Sequence, residues 1–389
     1  MEFGIFILKL ILIDFFSFNL YSFKDSISIM KILVIQQKMI GDVLISSIIC
    51  NNLKKAYPNA QIDYLVNSFT IPVIINNPNI NTIIEFTDEY KKSKLSFFKF
   101  IFKIRKERYD IVIDAYGKLE SCLITYFSNA SQRIGYREKD KFFAYNKKVA
   151  HPNKKETYQG LAIERRLNLF SFLMKKNKID SYPHIFLTPQ EITESISFFE
   201  KQNINIVNTK TLMISAFGSE ENKTYPIPYL IELINVIATN YSDSVILLNY
   251  LPSQKNQIKD IVSQCSPEAK NRINLDLIGN DLRSLIKILY HCNILIGNDG
   301  GAVNIAKALN KPTFTLFSPW IDKDSWSIFE DNILHKAVHL KDFLPEIFKK
   351  FSRKQLKKES ENLYQKLKPE LFQKEMILFI NSHIKNNHV

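Results

Sequence analysis

With 389 residues, 46% of them hydrophobic and 23% charged, the chain is globular in composition and long enough for two domains that each bury a core. A formal net charge of +13 calls for an acidic partner, whether nucleic acid, an anionic membrane surface or a phosphorylated substrate. Cys50, Cys122, Cys265 and Cys292 show no CxxC spacing and no Cys/His pairing at metal-site spacing, and read as buried free thiols in a reducing cytosol rather than as disulfides.

Residues 1–29 are apolar, but Lys9 and Asp14 interrupt them before the run reaches the roughly 20 residues a membrane span needs. No small-residue cleavage site follows, so the segment reads as an upstream extension, with a short interfacial anchor as the alternative. From Met30, strand-length apolar runs alternate with amphipathic stretches, the pattern of a parallel sheet with crossover helices. KILVIQ is a strand, DVLISSIICNNLKKAYP a helix closed by its proline, and QIDYLVN a second strand. KLSFFKFIFKIRKERY then reads as a helix, DIVIDAY as a strand, LESCLITYF as a helix and SQRIGY as a short strand. Arg137 to Tyr158 is basic and polar, as in a long surface loop.

After IFLTPQEITESISFFEKQNI the alternation restarts. TLMISAF, SVILLNY, INLDLIG and ILIGND are strands, separated by helices in PIPYLIELINVIATNY, QKNQIKDIVSQC and DLRSLIKILYHC. GGAVNIAKALN is a helix and PTFTLFS a final strand. The expected organisation is the extension 1–29, a Rossmann-like domain 30–188, a second Rossmann-like domain 189–339 and a helical tail 340–389, the halves meeting near residues 180–205. Between Lys341 and Val389 the tail carries 11 Lys/Arg against 6 Asp/Glu, either as a solvated helix face or packed back across the junction.

Doubly wound sheets hold ligands at the carboxyl ends of their strands, which directs attention to the turns after KILVIQ, TLMISAF and ILIGND. The first has no GxGxxG, and Gly41 is its lone glycine before the helix. Asp42 is either a helix cap worth roughly 1 kcal/mol or a general base. In SAFGSEENKTYP, Lys223 is a solvated loop lysine or the ammonium that neutralises a phosphate beside free helix amides. In IGNDGGAVNIAKAL, Asp299, Gly300 and Gly301 lead straight into a helix, where glycines admit a phosphate or sugar to the backbone; a structural tight turn is the alternative.

Taken in order, IGDVLISSIICNNLKKAYPNAQIDYLV, YDIVIDAYGKLESCLITYFSNASQRIGY, ENKTYP and IGNDGGAVNIAKALNKPTFTLFSP resemble glycosyltransferase family 9, the heptosyltransferases of lipopolysaccharide core assembly. The resemblance implies the GT-B fold, an α/β class with two Rossmann-like domains facing each other across a cleft, the domain 30–188 binding the acceptor and the domain 189–339 the nucleotide sugar. It further implies inverting transfer from a nucleotide-diphosphate sugar such as ADP-heptose, with no metal ion and no cofactor beyond that co-substrate. Asp42 would deprotonate the acceptor hydroxyl, Lys223 hold the donor diphosphate, Asp299 contact the sugar, and Gly300 and Gly301 bring amides to the phosphates. Asn304 would lie in the donor site where the family has histidine. Gly300 stands where the family has a hydroxyl residue, no acidic residue appears near Gln254, and an arginine near Gln36 and a proline at Ile48 are missing. The chain reads as a divergent member.

Between Lys91 and Arg108 there are 8 Lys/Arg and one glutamate, interleaved with Phe97, Phe98, Phe100 and Phe102. This is an amphipathic helix with core aromatics or a face that meets anionic lipid. Arg133, Arg137, Lys139, Lys141, Lys147 and Lys148 add a second basic strip suited to a phosphorylated or acidic lipid-linked saccharide, and Lys38, Arg133 and Arg137 are candidates for acceptor-side phosphate contacts. No nucleic-acid module is present, so no nucleic-acid partner is expected. The expected location is peripheral, on the cytoplasmic face of the inner membrane. A non-catalytic GT-B relic that binds saccharide is the rival.

Overall fold

Strands buried on both faces need helices above and below them, and the chain builds two such layers in succession. The computed structural model describes residues 29–138, 143–174 and 178–384; the readings of residues 1–28, of Lys139 and Lys141, and of residues 385–389 lie outside these. The first sheet contains β1 (Lys31–Ile35), β2 (Gln61–Asn67), β3 (Thr82–Phe86), β4 (Ile111–Asp114), β5 (Gln132–Tyr136) and β6 (Lys147–Val149). The second contains β7 (Lys210–Ser215), β8 (Ser244–Asn249), β9 (Ile273–Asn274), β10 (Ile294–Asn298), β11 (Thr313–Phe317) and β12 (His335–His339).

All pairings are parallel. The orders β3-β2-β1-β4-β5-β6 and β12-β11-β10-β7-β8-β9 place the first and fourth strands of each lobe side by side, so each lobe has its topological switch point between them. The longer helices are α1 (Ile40–Ala56), α2 (Lys94–Lys106), α3 (Leu119–Phe127), α4 (Leu161–Phe170) and α5 (Pro189–Glu200), then α6 (Ile227–Asn240), α7 (Lys255–Gln264), α8 (Leu282–His291), α9 (Gly301–Ala308) and α10 (Gln373–Ile384).

The structure corrects the sequence reading at several points. PTFTLFS is not the final strand, because β12 follows it along β11. Its sequence HKAVH looks polar, yet His335 and His339 are both buried. Thr313 Oγ1 lies 3.1 Å from His335 Nδ1, and burial pushes the His335 imidazole down to about 3, so it sits in the sheet as a neutral ring. The expected surface loop from Arg137 to Tyr158 contains β6, paired to β5. INLDLIG contributes two strand residues.

The lobes share a core. Ile45, Ile48 and Ile49 of α1, Ala162 and Leu169 of α4, Ile286 and Leu289 of α8, and Val303 and Ala306 of α9 belong to one buried cluster. Two staples flank it. At one, the Arg283 guanidinium on α8 donates to both carboxylate oxygens of Glu191, to Phe186 O and to Pro72 O, at 2.6–2.8 Å. At the other, Phe329 N donates to Gln159 O and Glu330 N to Tyr158 O, each at 3.2 Å, while Tyr182 stacks on Phe329 with centroids 4.1 Å apart.

Residues 340–384 are built into the second lobe. Tyr364, Leu367, Phe372, Met376 and Ile380 join its core cluster, Tyr225 donates to Leu367 O at 2.6 Å, and Tyr241 to Asn381 Oδ1 at 2.9 Å.

At the second staple Gly160 has φ +87°, and a Cβ there would lie 2.2 Å from Ser327 O. Gly160→Ala is therefore expected to destabilise the fold by about 1–3 kcal/mol, read as a lowered midpoint in urea unfolding.

Candidate active site

The site begins where β1 hands over to α1. Met39 is the helix's N-cap and supplies no side-chain cap, so Asp42, one turn in, does not act as the cap that its position suggested. Its Oδ1 instead accepts from Arg166 Nη2 at 2.6 Å. Arg166 is 8% exposed and comes from α4. Its Nε donates to Ser46 Oγ at 3.1 Å and its Nη1 to Ala162 O at 3.4 Å, which fixes the guanidinium plane. Asp42 Oδ2 has no hydrogen-bond partner among the described contacts and remains available to a ligand.

Across the seam, α1 meets α9 end to end. A Cβ at Gly41 would fall 2.5 Å from Asn304 Nδ2, and a Cβ at Gly301 would lie 3.4 Å from the Ile40 side chain. The pair Ile40-Gly41, immediately before Asp42, is thus in contact with the motif after β10. α9 carries no side-chain cap, so its leading amides are free of side-chain acceptors. Gly300 is extended, with φ 170°, and a Cβ there would meet nothing within 4 Å. A hydroxyl residue would therefore fit, and neither sterics nor backbone strain demands glycine at this position.

Asn298, fully buried at the end of β10, gathers the second-lobe turns. Its Oδ1 accepts from Tyr225 N at 2.7 Å, and its Nδ2 donates to Ser215 O and Ala216 O at 3.0 Å. This brings the loop bearing Lys223 beside Asp299. Lys223 Nζ lies 3.2 Å from Ser219 Oγ and 3.4 Å from Glu220 Oε1. Burial pushes the Asp299 carboxyl up to about 6, against the downward pull of the Lys307 and Lys223 ammonium groups. Lys307 on α9 is itself buried, which brings it down to about 8, and its Nζ donates to Ile328 O at 2.5 Å.

Residues 97–336 match the family profile of Glycosyltransferase family 9 (heptosyltransferase). The chain belongs to glycosyltransferase family 9. This transferase is 24% identical over 298 residues to Lipooligosaccharide heptosyltransferase 2 of Haemophilus influenzae, a match covering 75% of this chain and 84% of that protein. It is 24% identical over 297 residues to Lipopolysaccharide heptosyltransferase 1 of Campylobacter coli, covering 74% and 84%. Among solved structures, E. coli ADP-heptose lps heptosyltransferase II superposes with a TM-score of 0.64 at 18% identity, over 87% of this chain and 99% of that one. The family 9 protein of Veillonella parvula gives 0.67 at 16%, over 87% and 97%. The two-lobed fold of this transferase is GT-B.

The remaining candidates divide by location. Lys38 follows β1 at the seam and is half-buried. Arg137 lies just beyond the carboxyl end of β5 and is exposed. Arg133, at the opposite end of β5, donates to Ala144 O and Ala130 O, so its guanidinium ties loops together away from the seam. In α2, Phe100 is core, Phe97 and Phe98 are half-buried, and Phe102 is exposed. Phe86 packs edge-on against Phe97 and Phe100. Most of the aromatic interleaving is therefore core packing.

Sequence reading missed Arg166 and Asn298. The Arg165-Arg166 pair in LAIERRLNLF was the available signal for the first, since Arg166 shares an α4 face with the buried Ala162, Leu169 and Phe170. Asn298 stood in plain view inside ILIGND.

Removing Arg166 strands the Asp42 carboxylate, which is 18% exposed. Arg166→Met should cost about 3 kcal/mol, with part recovered in the Asp42→Asn/Arg166→Met double variant, as measured by denaturant unfolding. Asp299 is ionised above about pH 6 and can then accept hydrogen bonds from sugar hydroxyls. Donor affinity is expected to fall as pH drops through that value, and Asp299→Asn should flatten the profile in calorimetric titrations.

Proposed function

We propose that this transferase moves a heptose or related sugar from an ADP-linked donor to a lipopolysaccharide-core or similar lipid-linked saccharide, inverting the anomeric carbon without a metal ion. The observation that carries the reading is the contact of Ile40-Gly41 with Gly301 and Asn304 beside Asp42, which brings a held carboxylate to the end of α9. In this mechanism Asp42 Oδ2 takes the proton of the acceptor hydroxyl. The hydroxyl oxygen attacks the anomeric carbon from the side opposite the diphosphate, the sugar–phosphate bond breaks, and the nucleoside diphosphate departs. Lys223 and the uncapped amides of α9 stabilise its charge, and Asp299 orients the sugar. The nucleotide sugar is a co-substrate and the chemistry calls for no other cofactor.

Relatives support the choice of donor and acceptor: those named above are lipopolysaccharide or lipooligosaccharide heptosyltransferases, and an E. coli heptosyltransferase was crystallised with ADP-2-deoxy-2-fluoro heptose. Among the described residues no helix is long and apolar enough to cross a membrane. Peripheral contact with the cytoplasmic face of the inner membrane is assigned to α2, whose exposed face aligns Leu95, Lys99, Phe102, Lys103 and Lys106, apolar groups ringed by cations.

Asp42→Asn preserves an acceptor for Arg166 and removes the base. Transfer should drop by about 10² to 10⁴ while donor affinity, measured calorimetrically, stays within about twofold. Unchanged turnover would overturn the mechanism, and absence of transfer and of nucleotide-sugar binding in the unaltered protein would favour the saccharide-binding relic.

A further inference from the structure

We propose that Trp320, Arg353, Lys354, Lys357 and Lys358 form a phosphate-binding groove that adjoins Lys223 and is built from residues outside α9. Trp320 follows β11, and its indole Nε1 donates to Asn222 Oδ1 at 3.2 Å, which pins the ring to the loop that carries Lys223. Ser318 Oγ donates to Asn222 O at 2.7 Å, reinforcing the same junction. Two ammonium groups approach that ring: Lys223 Nζ lies 5.3 Å and Lys357 Nζ 4.7 Å from its centroid. They share one carboxylate, Glu220, at the long separations of 3.4 and 3.9 Å. Arg353, Lys354 and Lys358 make no ion pair among the described residues.

A cavity of about 620 Å³ is lined by Asn222, Trp320, Arg353, Lys354, Lys357 and Lys358, four cations and no acid. Surface lysines on a solvated helix normally splay apart to lower their repulsion; here Lys357 meets Lys223 over one fixed aromatic face, with Arg353, Lys354 and Lys358 lining the same groove. An anion relieves that repulsion, and a phosphoryl group offers the oxygens to bridge several cations at once. Trp320 and Arg353 also wall a neighbouring cavity of about 900 Å³ of mixed charge, where Asp322, Asp324 and Asp342 stand among Lys323 and Lys341, which gives the uncharged, hydroxyl-bearing part of a ligand somewhere to lie.

Arg353, Lys354, Lys357 and Lys358 fall outside the 97–336 segment that carries the family profile, whereas Trp320 and Asn222 lie inside it, so the tail supplies the groove's cations and the profiled segment its aromatic wall. The phosphoryl group can come from two sources, the donor diphosphate or a phosphate substituent on the saccharide acceptor. The inference deepens the transfer reading, with which it has Lys223 in common.

The chain holds two tryptophans, so Trp326→Phe leaves Trp320 as the sole indole and its emission reports on the groove. In that background the protein is titrated with inorganic pyrophosphate, ADP and glucose 6-phosphate at low and high salt. A saturable, salt-sensitive response is expected with at least one probe. Its midpoint should rise about tenfold in Arg353→Gln/Lys357→Gln, with the melting temperature unchanged, and Lys357→Arg should retain most of the affinity. Pyrophosphate and ADP responding together would assign the donor diphosphate, and glucose 6-phosphate alone the acceptor's phosphate. No response to any probe, or the same midpoint in the doubly substituted protein, would overturn the site. Asp42 takes no part in this titration, so loss of the transfer mechanism and loss of the groove would be told apart.

Discussion

The transfer mechanism proposed for this transferase depends on how closely two helix ends approach. α1 and α9 each start shortly after a strand next to its lobe's switch point, and they can touch because position 41 has no side chain: a Cβ there would lie 2.5 Å from Asn304 Nδ2. Any larger residue at 41 would wedge the lobes apart or displace Asn304. The contact also gives Asn304 a structural role, since it packs against the first lobe from the helix that follows β10.

The seam is rich in buried charge, and the charges are arranged in compensating sets. Asp42 has Arg166, Glu191 has Arg283, which holds its carboxyl down to about 2, and Lys307 answers Asp299 and Glu330. Asp42 and Arg166 are 124 positions apart within the first lobe, while Arg283 of the second lobe also donates to Pro72 O of the first, so at that staple charge compensation and lobe alignment are the same interaction. Burying such groups is costly unless they remain paired, which makes the aligned state self-consistent: parting the lobes would strip Arg283 of acceptors contributed by other segments.

The two-layer architecture and the switch points were legible because parallel strands buried on both faces leave long apolar runs, and KILVIQ, TLMISAF and ILIGND are such runs. The three turns that follow them were legible by the same rule. What escaped was polar structure inside the core. HKAVH forms an inner-facing strand only because two neutral imidazoles are buried, and Arg166 looked like an ordinary helix cation because its partner lies 124 positions away. Hydropathy registers a residue's intrinsic preference, whereas these groups are buried by virtue of partners that the fold supplies. For Asp42 the capping alternative gives way because Met39 occupies the N-cap and Asp42 Oδ1 accepts from Arg166.

The tail has a bearing on how the protein comes into being. All six strands of the first sheet lie between residues 31 and 149, whereas the second lobe's core waits for Tyr364, Phe372 and Ile380. Chains emerge from the ribosome amino end first, and domains fold as units. The first sheet can therefore assemble while the second lobe still lacks its last core helix. Tyr225, two residues beyond Lys223, finds its acceptor at Leu367 only at the end of this sequence. The half of the molecule that would grip the nucleotide sugar matures last, after the partner lobe is ready to receive it.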